Sequence, residues 1–239
     1  MTFPWHEPKL HIFDLDDTLV HTRSAVREAW EPALKVLCSR LGCDLDRTRT
    51  LLKVLVGEFG STAYRQYWHA LVSELVSHLP NSAVSSDVDS ITEEVRLIYD
   101  KRFWQNLRLF DGSVDYLNRL VDSGRTVGIA SNGDSDFQWR KIRHLGLDKW
   151  FDPNSVRTEG SQAVQRQKPN AFMLLGFLDQ HALDPQNCFF YGNSPVDIIA
   201  GNLAGVRTVA VGSIANQNRL KLLVPDAILR DFTQIPLFE

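Results

Sequence analysis

The stretch His11-Ile12-Phe13-Asp14-Leu15-Asp16-Asp17-Thr18-Leu19 decides how the rest of this chain is read. An apolar run, Leu10 to Phe13, ends abruptly in an acid-x-acid-acid-Thr cluster. Side chains alternate along an extended strand, so Asp14 and Asp16 fall on the same side of the chain. Crowded carboxylates repel, and the pair therefore requires a compensating cation, a shared proton or a substrate. Taken alone, the cluster reads equally well as an acidic turn after a strand. Distant parts of the chain separate the two readings.

Outward from this stretch, short apolar runs recur. Thr126–Ala130 leads into Ser131-Asn132-Gly133, Cys188–Tyr191 into Gly192-Asn193-Ser194, and Thr208–Val211 into Gly212-Ser213; Ala227-Ile228 opens a fourth. Apolar strands bounded by Gly and polar residues suit a parallel sheet covered on both faces. Helical spacing fills the gaps, with Val114, Leu117, Leu120 and Val121 in one stripe and Phe172, Leu174, Leu175 and Leu178 in another. Asp197 to Ala204 carries Ile198, Ile199 and Leu203, and Gly205 is a natural stop. Strands alternating with helices predict a doubly wound, Rossmann-like α/β domain.

Residues 20–106 have a different texture, with helical periods only. Ser24–Leu41 (Val26, Trp30, Leu34, Leu37, Leu41), Thr48–Val56, Ala63–Leu79 and Val88–Trp104 each carry an apolar stripe, and Pro80–Ser86 is a polar breaker. The prediction is an all-helical cap at 20–106, inserted just after the first strand of a core formed by 1–19 and 107–239.

Composition narrows the class. The 239 residues are 44% hydrophobic and 23% charged, ordinary globular usage with ample material for a core. A net charge of -3 gives no pull toward nucleic acid or anionic membrane. Cys38, Cys43 and Cys188 lack metal-type spacing and read as idle thiols of a reducing compartment. The N-terminus has neither a basic nor an apolar leader segment, and no apolar run is long enough to span a membrane, so the expectation is a soluble cytoplasmic protein.

Four polar signals, Asp14/Asp16, Ser131-Asn132, Lys168-Pro169 and Asn193/Asp197, fall directly after predicted strands or at helix starts. In open parallel sheets, ligands bind beyond the carboxyl ends of the strands. The residue before a proline is held extended, and Pro169 suits the first turn of the helix carrying Phe172, so Lys168 sits at a helix mouth.

With these segments in this order, and a helical insert after the first, the chain resembles the haloacid dehalogenase superfamily, in its branch of phosphatases with a helical cap. The resemblance covers nearly the whole chain. It implies that Asp14 is the nucleophile, forming an aspartyl-phosphate that water then hydrolyses. It implies that Asp16 is the general acid/base, protonating the leaving alkoxide and then activating water. Superfamily members that cleave carbon–halogen bonds lack an acid there, because halide needs no proton to leave. Asp16 therefore favours phosphate esters. Asp17 and Thr18 shape the loop, Thr18 also orienting Asp16 and contributing to phosphate binding. Ser131 supplies a hydroxyl and Asn132 a backbone N–H to the phosphoryl oxygens. Lys168 neutralises phosphate and Asp14.

The family's Mg²⁺ site maps onto Asp14, Asp16 (through its backbone carbonyl), Asn193 and Asp197. Asn193 departs from the acid common at that position, which weakens metal affinity and leaves more of the task to Asp197. Candidate cap residues for substrate contact are His21, Arg23, the Gly57-Glu58-Phe59-Gly60 turn and the run Tyr64-Arg65-Gln66-Tyr67-Trp68-His69, against the rule that such aromatics are more often core and such histidines surface or packing groups.

The expected function is a Mg²⁺-dependent phosphomonoester hydrolase acting on a small phosphorylated metabolite, as a monomer or small homo-oligomer. Two alternatives stand beside it: a phosphomutase of the same superfamily, and a non-catalytic binding protein with the same fold.

Overall fold

The computed structural model describes residues 8–59, 64–78, 87–212 and 214–236. The chain divides into two units, Met1–Thr22 with Arg108–Glu239, and Arg23–Leu107.

The first unit is a doubly wound parallel sheet. Its strands are β1 (Leu10–Phe13), β2 (Thr126–Ser131), β3 (Val156–Thr158), β4 (Cys188–Gly192), β5 (Arg207–Val211) and β6 (Ala227–Leu229). They lie in the order β3-β2-β1-β4-β5-β6, every neighbouring pair parallel. Ile12 is in register with Gly128 on one side and Phe190 on the other. Beyond β1 the chain turns to β2, and only after β3 does it cross to β4. The carboxyl ends of β1 and β4 thus flank the point where the winding reverses, which is where such sheets open a crevice.

Alternation along β1 divides the core into two layers. Leu10 and Ile12 pack with Leu174, Phe177 and Leu178 of α7 (Phe172–His181) and with Ala200 and Ala204 of α8 (Pro195–Ala204). His11 and Phe13 face an aromatic layer. There Phe13 stacks on Tyr191 with centroids 4.6 Å apart, and Tyr116 of α5 (Ser113–Asp122) stacks on Phe232 at 5.7 Å. Each fully buried ring of this kind stabilises the fold by roughly 2–3 kcal/mol. Helix α6 (Ser135–His144) follows β2 and is capped by Asp134, whose carboxylate accepts from the Phe137 N–H. Gly205 ends α8 in the left-handed conformation, as its place after Leu203 predicts. α9 (Ile214–Leu220) precedes β6.

The second unit is helical. It contains α1 (Thr22–Leu41) apart from its first residue, α2 (Leu45–Phe59), α3 (Tyr64–Ser77) and α4 (Val88–Asn106). Its core holds Leu34, Leu37, Leu52, Tyr67, Trp68, Leu71, Tyr99 and Phe103, with Trp68 edge-on to Tyr99 at 5.7 Å.

Two of the candidate substrate contacts have other places in the structure. Gly57, Glu58 and Phe59 continue α2 instead of forming a turn, because the helix runs on past the apolar stripe that marks it in sequence. Tyr67 and Trp68 are buried in the helical core, the usual fate of large aromatics on an amphipathic helix. Gln66 and His69 are exposed, whereas Gly60, the breaker Pro80–Ser86 and the side chains of Tyr64 and Arg65 lie outside the described residues. Cys38, Cys43 and Cys188 are free thiols. Among the described residues, no helix is long and apolar enough to cross a membrane.

Candidate active site

Asp14 is the first residue beyond β1, and its N–H still donates to the Tyr191 carbonyl of β4 at 2.8 Å. A tight turn follows. Asp17 takes a left-handed conformation (φ 61°), and the Thr18, Leu19 and Val20 N–H groups converge on the Leu15 carbonyl. This turn swings Thr18 back so that its hydroxyl donates to Asp14 Oδ2 at 3.1 Å. Thr18 therefore orients Asp14, not Asp16 as the sequence suggests.

Lys168 reaches the same point from the far side of β2. Its ammonium lies 2.6 Å from Asp14 Oδ1 and 2.7 Å from Asp197 Oδ1, and it donates to the Ala130 carbonyl at 2.9 Å. All three side chains are buried. Asn132 fixes the lysine's backbone in a reciprocal pair: its Nδ2 donates to the Lys168 carbonyl and its Oδ1 accepts the Lys168 N–H, both at 2.8 Å. The Lys168–Pro169 peptide is cis.

Asp197 enters from the first turn of α8, where Oδ2 accepts the Ser194 N–H at 2.9 Å. Gly192 makes this possible, since a Cβ there would lie 2.2 Å from the Asp197 Cβ. Asn193 follows β4 directly and is buried.

Electrostatics separate the two acids of the opening motif. Burial pushes the Asp14 carboxyl up to about 7; Lys168 pulls it down, while Asp197 and Asp16 add to the rise. For Lys168, burial opposes the charge, but Asp14 and Asp197 outweigh it and hold the ammonium more strongly protonated than usual. For Asp16, burial also opposes ionisation, yet Lys141, with hydrogen bonds from Lys141, Thr22 and Gln138, keeps its carboxyl below the usual range.

The partners of Asp16 are the functional residues that the sequence did not disclose. Lys141 of α6 forms an ion pair with Asp16 Oδ1, and the Thr22 hydroxyl donates to the same oxygen. Gln138 Nε2 donates to Asp16 Oδ2 at 2.9 Å and to Ser131 Oγ at 2.8 Å. Ser131 is thus tied to Asp16 through one carboxamide. The readable signal was the spacing of Gln138, Lys141 and Ile142, which share one helix face. That face is buried, although two of its three residues are polar.

His21 is half-buried and stacks on Phe110 with centroids 3.7 Å apart; burial and Arg108 lower its pKa against the pull of Asp111. Arg23 lies on the exposed surface of the helical unit.

Among the described residues, no group of three or more His, Cys, Asp or Glu side chains is placed to hold a metal ion. The candidate donors are nonetheless all oxygen, which suits Mg²⁺: the Asp14 and Asp197 carboxylates, brought together at the Lys168 ammonium, and the Asn193 amide and Asp16 carbonyl that the family resemblance adds to them. Each oxygen of Asp14 and Asp197 has one hydrogen-bond or ion-pair partner named above, and a carboxylate oxygen offers two lone pairs. The residue set fits the ion.

Comparison with known proteins identifies the family and the fold. Residues 11–211 match the family model described as haloacid dehalogenase-like hydrolase. A glyceraldehyde 3-phosphate phosphatase from Methanothermobacter thermautotrophicus is 27% identical over 207 residues, covering 86% of each chain. A phosphoglycolate phosphatase from Aliivibrio fischeri is 27% identical over 208 residues, covering 85% of this chain and 83% of its own. Among solved structures, a HAD family hydrolase from Deinococcus radiodurans, crystallised with phosphate and sodium, superposes with a TM-score of 0.65 at 18% identity. That match covers 95% of this chain and 93% of the other, and at such identity it speaks to the fold alone.

Proposed function

The chain belongs to the haloacid dehalogenase-like hydrolase family, and from that premise we propose that it is a Mg²⁺-dependent phosphomonoesterase that turns over small phosphorylated metabolites through an aspartyl-phosphate on Asp14. The observation that carries this reading is the buried contact of Asp14 Oδ1 with Lys168 at 2.6 Å, with a second acid, Asp16, held apart from it by its own partners. One carboxylate is paired with a cation that a phosphoryl group can share. The other is paired with Lys141 instead, which holds its carboxyl below the usual range at rest, and it carries the proton for transfer once the charge of the bound phosphoryl group raises it.

In the proposed reaction, Asp14 attacks phosphorus and forms the Asp14–phosphorus bond while the ester oxygen–phosphorus bond breaks. Asp16 gives its proton to the departing alkoxide. Asp16 then takes a proton from water, whose oxygen attacks phosphorus; inorganic phosphate leaves and Asp14 is regenerated. Ser131 and the Asn132 N–H donate to the phosphoryl oxygens, and Lys168 balances their charge. Mg²⁺, held by Asp14, Asn193, Asp197 and the Asp16 carbonyl, would supply further positive charge to the phosphoryl group. As part of the same proposal, the ester is a small phosphorylated acid or aldehyde, a reading supported by relatives named glyceraldehyde 3-phosphate phosphatase and phosphoglycolate phosphatase.

The test is phosphate release from a panel of phosphorylated metabolites with graded Mg²⁺ and EDTA, for wild type and Asp14→Asn. Metal-dependent release that vanishes in the variant, with acid-stable label trapped on wild type from a labelled ester, supports the proposal. Isomer formation in place of phosphate release turns it into a mutase. Inertness toward the whole panel at saturating Mg²⁺ favours a non-catalytic binding protein.

A further inference from the structure

We infer that Gln138 and Lys141, on the inward face of α6, are positioning residues that hold the acid/base carboxylate of Asp16 in register with the phosphoryl-binding hydroxyl of Ser131. The inference rests on the phosphomonoesterase reading and deepens it. The Gln138 amide nitrogen is shared between Ser131 Oγ at 2.8 Å and Asp16 Oδ2 at 2.9 Å. By accepting from Gln138, the Ser131 oxygen keeps its own hydrogen available for a phosphoryl oxygen. Lys141 takes the other Asp16 oxygen. Both Asp16 oxygens are therefore gripped from one helix, and the serine is gripped by the same carboxamide.

Three further observations set this apart from ordinary packing. Gln138 is 0% exposed and Lys141 1% exposed, positions that a core would fill with apolar side chains. Gln138 Oε1 is buried with no hydrogen-bond partner among the described residues. A glutamine that leaves its acceptor unsatisfied is a poor choice for stability, and its N–H side alone justifies it. Gly133 leaves room for that side chain, since a Cβ at 133 would lie 2.3 Å from Gln138 Nε2. The sequence surrounding Gln138 is shaped to let the amide reach Asp16.

A positioning role differs measurably from a structural one. In Gln138→Met and Lys141→Met, kcat/KM for an alkyl phosphate such as glycerol phosphate, whose leaving group needs a proton, is expected to fall about 10²-fold. For acetyl phosphate, whose leaving group needs none, the fall is expected to stay within about threefold. Gln138→Met should keep or raise the melting temperature, and Lys141→Arg should recover part of the alkyl phosphate activity. Equal losses on both substrates, no loss on either, or a loss that follows a lowered melting temperature overturns the inference.

Crystals of wild type and Gln138→Met provide a test independent of turnover. An Asp16 carboxylate displaced in the variant supports the inference, and an unmoved one overturns it. If wild type is inert on every ester while Asp16 still moves in the variant, the phosphatase reading fails and the positioning holds.

Discussion

Acidification should destabilise the sheet through a single imidazole. His11 lies on β1, 0% exposed, in the aromatic layer beneath the site. Its Nε2–H donates to the Pro8 carbonyl at 3.3 Å, so Nδ1 is the acceptor, and the Tyr191 hydroxyl donates to it at 3.0 Å. Burial drives its pKa down to about 3; the Pro8 hydrogen bond opposes this, and Arg125 adds to it. In the unfolded chain the same ring takes up a proton near 6.5. The unfolded state therefore binds more protons than the folded one between those values, and stability is lost as pH falls below about 6.5, levelling off only below about 3. With these two constants the loss is about 1.4 kcal/mol at pH 5.5 and about 2.7 kcal/mol at pH 4.5, approaching about 5 kcal/mol at the limit. The assay is urea unfolding at pH 8, 5.5 and 4.5 for wild type and His11→Phe. The variant removes the acceptor shared by the Tyr191 and Tyr116 hydroxyls, which keep their bond to each other, and the donor to the Pro8 carbonyl, and should lose about 1–3 kcal/mol at pH 8. Its profile should then be flatter than that of wild type by the amounts above, and the wild-type His11 ring should show no titration by NMR between pH 8 and 5. Parallel pH profiles, or a ring that titrates near 6.5, would refute the reasoning.

Three other outcomes follow from the site. Lys168→Met should lower phosphate release at least about 10³-fold. It should also cost about 3–5 kcal/mol at pH 8, because Asp14 and Asp197 are left buried without their cation. That loss should shrink toward pH 5.5 as Asp14, whose carboxyl burial already raises, takes up a proton in the folded state, which denaturant titration will show. Asn193→Asp should tighten Mg²⁺ binding by about tenfold or more, read by calorimetry in the absence of substrate; unchanged affinity would remove Asn193 from the metal corner. Gly192→Ala forces a Cβ to within 2.2 Å of the Asp197 Cβ. It should cost about 1–3 kcal/mol, a melting-temperature fall of several degrees by calorimetry.

The legible part of this protein is the part where burial and chemistry agree locally. β1, β2, β4 and β5 are continuous apolar runs because each is covered on both faces, and such runs stand out in any sequence. Asp14, Ser131 and Asp197 could be found because each sits within a residue or two of a strand end or helix start that the pattern itself marks; Lys168 could be found by its proline, although Pro169 lies in a turn and the helix begins only at Phe172. β3 escaped notice because it is three half-buried residues at the sheet edge, Val156-Arg157-Thr158, with no apolar run to announce it. α6 escaped for a more instructive reason. An amphipathic helix is recognised by its apolar face, and the buried face of α6 carries Gln138 and Lys141 beside Ile142. The site itself erased the signal, because the polar groups that serve Asp16 occupy positions where Leu or Val would have marked the helix.

That erasure bears on how the two acids of the opening motif came to differ. Asp14 and Asp16 are chemically identical and two residues apart, and within the motif the Thr18 hydroxyl already distinguishes them by donating to Asp14. The larger difference comes from what arrives from elsewhere. Lys168, carried in from beyond β3 and fixed by Asn132, meets Asp14 in a buried pocket that Asp197 shares. Lys141 and Gln138, carried in on α6, meet Asp16 in a separate and more open one. In the proposed reaction, the pattern Asp-x-Asp marks where the chemistry happens, and the helix that follows β2 holds the acid that moves protons.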